Sequence, residues 1–144
     1  MISGGTVVGT DRGKPAPLRP TVLVVDDDQA IRNSLKFSLE IEGFAVRVYA
    51  SGDELLKERE LPDRGCLVID YLLPGINGLE LLGKLRARHC LLPAILATTH
   101  VDATLRQRIA AAGMVLVEKP FIGNALADAI SAAVGRQSRD LAKD

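Results

Sequence analysis

With 144 residues, 47% of them hydrophobic and 25% charged, the chain has the size and composition of one ordinary globular domain, with no room for a second full-sized one. Eighteen basic residues balance eighteen acidic ones, so no net field holds the chain on the phosphates of DNA or on an anionic membrane. An aromatic content of 3% with no Trp excludes a base-stacking platform, and two cysteines, Cys66 and Cys90, with no further pair and no His spacing, exclude a disulfide framework or a zinc knuckle and fit a reducing cytosol.

Met1 to Pro20 contain four Gly and three Pro without a sustained apolar period, a composition expected of a flexible leader outside the fold. There is no apolar core of a secretion signal and no run of roughly 18 apolar residues, so a cytoplasmic protein is expected. From Thr21 short apolar runs alternate with stretches of helical period. TVLVV (21–25), FAVRVY (44–49), CLVI (66–69), AILAT (94–98) and MVLV (114–117) are the strand candidates. All but the second are almost continuously apolar, the pattern of strands buried on both faces of a parallel sheet, whereas FAVRVY alternates and reads as the edge.

Between them, Ile31, Leu35 and Leu39 trace an amphipathic helix capped by Asp28 and stopped by Gly43. A shorter helix is expected around Glu54 to Arg59. Leu79, Leu82 and Leu85 form the core row of a helix opening near Gly78; Asp102 caps another that carries Leu105 and Ile109 and ends at Gly113; Leu126, Ile130 and Val134 mark the last. Residues 135–144 are expected as a tail or linker stub, too short for a helix-turn-helix module, so no nucleic acid is bound within this chain. Five alternations of strand and helix select an α/β, doubly wound sheet with right-handed crossovers.

Asp26, Asp27 and Asp28 follow the first strand, Asp70 the third, Thr98 closes the fourth and Lys119 follows the fifth. In an open parallel sheet these carboxyl ends share one edge, where ligand crevices form. Three carboxylates there repel one another unless a cation neutralises them, and oxygen-only donors select a hard ion, Mg²⁺ or Mn²⁺. A metal, an ammonium, a hydroxyl and a free carboxylate are the equipment of phosphoryl transfer, with Asp70 the natural nucleophile. His100 reads as an exposed loop histidine, and the two cysteines as small hydrophobes near strand starts.

VVDDD at 24–28, DYLLPGINGLELL at 70–82, ILATTH at 95–100 and EKPF at 118–121 together resemble the receiver domain of two-component response regulators, in spelling most like the nitrogen-fixation-regulator branch. The resemblance covers about residues 21 to 134. It implies a five-stranded parallel sheet of order 2-1-3-4-5 flanked by five helices, with Asp70 as phosphoacceptor and metal ligand. It further implies Asp27 as direct metal ligand, Asp26 as a ligand through water, and the backbone carbonyl of Leu72 as the third protein ligand. Thr98 matches the switch hydroxyl, Thr99 a gate beside it, and Lys119 the ammonium that pairs with a phosphoryl oxygen; the Lys119–Pro120 bond matches one usually cis, and Pro74 and Gly78 the loop that returns the chain into the third helix.

The partners implied are a histidine kinase or phosphotransfer protein, and a second copy docked through the fourth helix, fifth strand and fifth helix; such a chain catalyses only its own phosphorylation and dephosphorylation. Two positions depart from the family pattern. Leu116 stands where Tyr or Phe is usual, so switching is expected to run through Thr98 and the loop to Asp102. Leu72 stands where many members carry a polar side chain, so with His100 as the one remaining partner for a hydrolytic water, slow loss of phosphate is expected. Two other readings compete: a haloacid-dehalogenase-type phosphatase attacking through Asp26, and a pseudo-receiver scaffold that is never phosphorylated.

Overall fold

The computed structural model describes residues 19–142, so the expected leader lies, but for Arg19 and Pro20, outside the described residues. Five strands, β1 (Thr21–Val25), β2 (Ala45–Tyr49), β3 (Gly65–Asp70), β4 (Ala94–Thr98) and β5 (Val115–Glu118), alternate with five helices, α1 (Gln29–Ile41), α2 (Gly52–Leu56), α3 (Gly78–Ala87), α4 (Ala103–Ala111) and α5 (Ala125–Ala142). All strand pairs are parallel and the sheet order is β2-β1-β3-β4-β5. The register sets Val25 beside Ile69 and Asp70 beside Ala97, which aligns the carboxyl ends of the three inner strands.

Because side chains alternate across a strand, the apolar runs feed two cores. Leu23, Val25, Leu67, Ile69 and Leu96 pack with Leu55 of α2, Leu81, Leu82 and Leu85 of α3, and Leu105 and Ile109 of α4. Val22, Val24, Cys66, Val68 and Ile95 pack on the other face with Leu35 and Leu39 of α1 and with Leu126, Ile130 and Val134 of α5. Burial of each such Leu, Ile or Val stabilises by about 1.5–3 kcal/mol. The two cysteines are free and buried, on opposite faces of the sheet.

The helix boundaries follow from local chemistry. Asp28 accepts from the N–H groups of Ala30 and Ile31, Asp102 from that of Leu105, and Asn77 forms a capping box with Glu80. Gly43 and Gly113 end α1 and α4 in the left-handed region, at φ +103° and +73°. Four expectations need correction. β5 is an edge strand with an exposed and half-buried pattern, Val115 being 39% exposed; its apolar run carries no signal that β4 covers only one side of it. α2 starts earlier than Glu54 and ends before Arg59, because Ser51 accepts from the Glu54 N–H and so sets the first turn. α5 runs past Val134 to Ala142, and Gln137 secures that extension: its Oε1 accepts from the Gly65 N–H and its Nε2 donates to the Asp63 carbonyl, both at 2.9 Å. In α3 the buried row is Leu81, Leu82 and Leu85, with Leu79 half-buried at its rim.

Gly78 is where α3 meets the end of β3. A Cβ there would lie 2.7 Å from Leu96 Cδ1 and 2.8 Å from the carbonyl oxygen of Asp70. Gly78→Ala is therefore expected to destabilise the fold by about 2 kcal/mol through overpacking, read as a lower urea midpoint; an unchanged midpoint would show that the helix can slide away freely.

Candidate functional site

Asp70 is the last residue of β3, Thr98 the last of β4, and Asp26 and Lys119 directly follow β1 and β5. The crossover topology thus delivers residues separated by up to 93 positions to one point: Lys119 Nζ donates to Asp26 Oδ2 at 2.9 Å and to Asp70 Oδ2 at 3.5 Å. One carboxylate oxygen from each of Asp26, Asp27 and Asp70 lies within 4.8 Å of the others. Asp26 and Asp70 are buried, at 2% and 8% exposure, and Asp27 is exposed. This donor set, all oxygen, anionic and open on the side of Asp27, fits a hard divalent cation such as Mg²⁺.

Asp26 is held at every polar atom. Its N–H donates to the carbonyl of Tyr49 at 3.1 Å, its carbonyl accepts from Arg32 Nη1 at 2.8 Å, and its Oδ1 accepts from the Asp28 N–H at 2.9 Å, leaving Oδ2 for Lys119. Asp70 is looser. Burial raises its carboxyl above the ordinary carboxylate range, the nearby Lys119 ammonium pulls it back, and the charge of Asp26 pushes it up again; a bond from the backbone N–H of Leu72 also favours its anion. Burial draws the Lys119 ammonium down, but the hydrogen bond to Asp26 and the charges of Asp70 and Asp26 outweigh it and raise the group above its ordinary value.

Thr98 is buried, but its hydroxyl faces the loop toward α4: it donates to the His100 carbonyl at 3.4 Å and accepts from the His100 N–H at 3.3 Å. A cavity of about 230 Å³ opens beside it, lined by Tyr71, Leu72, His100, Asp102, Leu105 and Arg108 among others. Thr99 and His100 are exposed, Leu72 is 58% exposed, and Leu116 is half-buried against the core on the α4 side. The Lys119 N–H donates to the Thr98 carbonyl, tying the two loops, and the Lys119–Pro120 bond is cis. The structure therefore unites Asp26, Asp27, Asp70 and Lys119, and sets Thr98 one residue beyond Ala97, the register partner of Asp70. The role of Arg32 and the place of Tyr71 in the cavity wall escaped the sequence reading. An arginine one turn into a helix that follows an acidic run was the available signal for the first; the second had none.

Burial also pushes the Cys66 thiol up to about 12, which makes it an inert core residue. Among the described residues no helix is long and apolar enough to cross a membrane.

Five parallel strands flanked by five helices, with three aspartates and a lysine gathered at the carboxyl edge of the sheet, define the class of the receiver-like α/β domains. Residues 22–131 match the model of the response regulator receiver domain, and the chain belongs to that family, in its FixJ-like branch. It is 42% identical over 118 residues to the transcriptional regulatory protein FixJ of Azorhizobium caulinodans, a match covering 81% of this chain and 56% of that protein. It is 40% identical over 123 residues to the C4-dicarboxylate transport transcriptional regulatory protein DctR of Rhodobacter capsulatus, covering 83% and 62%. The chain thus spans little more than half the length of these curated relatives. Among solved structures, FixJ-N superposes with a TM-score of 0.70 at 33% identity, covering 83% of this chain and 96% of that one. A CheY-like receiver from Methanospirillum hungatei JF-1 superposes with a TM-score of 0.77 at 29% identity, covering 85% and 99%. Five parallel strands in the same order with five helices are what these neighbours share with it.

The raised carboxyl of Asp70 has a consequence for stability. A carboxyl whose folded pKa exceeds its unfolded one stabilises the fold while protonated and loses that contribution as pH rises through the folded value. Without metal, Asp70→Asn is therefore expected to melt a few degrees higher than wild type at pH 7, with the difference closing on acidification. Thermal melts in chelator across the acidic range check this, and a variant that melts lower at pH 7 contradicts it.

Proposed function

We propose that this chain takes a phosphoryl group from the phosphohistidine of a histidine kinase or phosphotransfer protein onto Asp70. The observation that carries the reading is the convergence of Asp26, Asp70 and Lys119 from three separate strand ends. In the reaction an Asp70 carboxylate oxygen bonds to phosphorus while the phosphorus–nitrogen bond of the donor breaks, and the imidazole leaves with the electron pair. Asp70 suits this better than Asp26, whose oxygens are already committed to Asp28 and Lys119, and that disfavours the phosphatase alternative. The intact set of Asp26, Asp27, Asp70, Thr98 and Lys119 disfavours a pseudo-receiver.

Mg²⁺ would be held by Asp27, Asp70 and the carbonyl of Leu72, with Asp26 acting through water; when bound it supplies the positive charge that offsets the meeting of two anions. Lys119 pairs with a phosphoryl oxygen. The long bonds of the Thr98 hydroxyl to His100 are weak, so a charge-assisted bond to the phosphoryl group displaces them. Thr98 then draws the segment from Thr99 to Asp102 toward Asp70, and the cavity between Tyr71 and Leu105 gives that segment room. α4 repacks against Leu116, and the α4-β5-α5 surface changes. Val115 and Ile122, the latter 76% exposed, lie on this surface, which supports a second copy docking there. The unit that does this spans 21–134 and acts in the cytoplasm, as a switch that catalyses only its own phosphorylation and dephosphorylation.

Intact mass after treatment with acetyl phosphate tests the reading. One phosphoryl adduct is expected, absent in Asp70→Asn and suppressed by excess chelator; an adduct that survives either would refute it. Because Leu72 cannot hold a hydrolytic water, the same time course should show the adduct decaying faster in Leu72→Asn than in wild type.

A further inference from the structure

We infer that Arg32 is a positioning residue for the metal site: by holding the carbonyl of Asp26, its guanidinium sets the direction in which Asp27 presents its carboxylate. This rests on the reading of the acidic cluster as an Mg²⁺ site. Asp27 is exposed and its side chain has no hydrogen-bond partner among the described residues, so its aim depends on the two peptide groups that flank it. The N–H of the Asp27–Asp28 peptide donates to Asp26 Oδ1 at 2.9 Å. The carbonyl of the Asp26–Asp27 peptide accepts from Arg32 Nη1 at 2.8 Å.

These two ties differ in kind. The first ends on a carboxylate of the cluster itself, whose other oxygen holds Lys119, so it shifts whenever the charge in the pocket changes. The second joins a neutral carbonyl to a side chain rooted in α1, where the Arg32 N–H donates to the Asp28 carbonyl at 3.0 Å and Asp28 caps the helix. It alone ends on no carboxylate of the pocket, which is the property required of a support behind a metal ligand. Helix stability does not account for the residue, because a cation in the opening turns of a helix works against the helix dipole. Charge does not either, since a guanidinium near the cluster repels a divalent cation.

That opposition of signs makes the test decisive. The Mg²⁺ dissociation constant is measured on the full chain by calorimetric titration for wild type, Arg32→Ala, Arg32→Met and Arg88→Ala. Arg88 serves as control because it also donates to backbone carbonyls, those of Leu56 and Glu58, but is remote from the cluster. Positioning predicts an affinity about tenfold weaker in Arg32→Ala, and likewise in Arg32→Met, which keeps the apolar stem should the alanine variant fail to fold. Arg88→Ala is expected to melt lower than wild type yet bind Mg²⁺ as wild type does. Unchanged or tighter binding in the Arg32 variants, or equal weakening in Arg88→Ala, would overturn the role of Arg32. Absence of Mg²⁺ binding in wild type would instead overturn the metal site on which it rests.

Discussion

Two buried carboxylates, Asp26 and Asp70, stand beside one another at the carboxyl edge of the sheet with a single ammonium between them, and the cost of keeping that charge out of water is the constraint on which the rest of the site depends. For Asp70 the loss of water is the largest effect, ahead of the attraction of Lys119 and the repulsion of Asp26. Lys119 offsets part of this, and the remainder is borne by the packing of the inner strands, β1, β3 and β4, whose side chains are almost wholly buried. A sheet less completely filled would relax by letting the strand ends part. The close packing of the apolar layers is thus the condition for holding buried charge at the sheet edge.

The two sides of the site are held unequally. Asp26 is bonded at each of its polar atoms. The Thr98 hydroxyl, by contrast, is held by long bonds to His100, beside a cavity that runs toward α4. Strong ties fix the Asp26 carboxylate; weak ones leave the Thr98 hydroxyl able to exchange partners. On the fifth strand Leu116 packs partly buried on the core beside α4.

Much of this was legible in the residues. Continuous apolar runs identify β1, β3 and β4 as inner strands, Asp28 and Asp102 announce helix starts, and the positions of Asp26, Asp70, Thr98 and Lys119 after four strands predict that they meet. What stayed hidden depends on contacts between distant segments. The exposure of β5 reflects the lack of a neighbour, which a run of four residues cannot express. The extension of α5 depends on Gln137 finding the backbone of Asp63 and Gly65, more than seventy positions away. Arg32 looks like any solvated helix cation until the carbonyl of Asp26 is seen in front of it.

The response of the melting temperature to Mg²⁺ in wild type and in Asp27→Ala tests most directly whether the acidic cluster takes up a divalent cation that stabilises the fold. Wild type is expected to gain stability as RT ln(1 + [Mg²⁺]/Kd), and Asp27→Ala to lose that dependence while melting no lower than wild type in chelator. An undiminished Mg²⁺ response in Asp27→Ala would place the cation elsewhere and contradict the account.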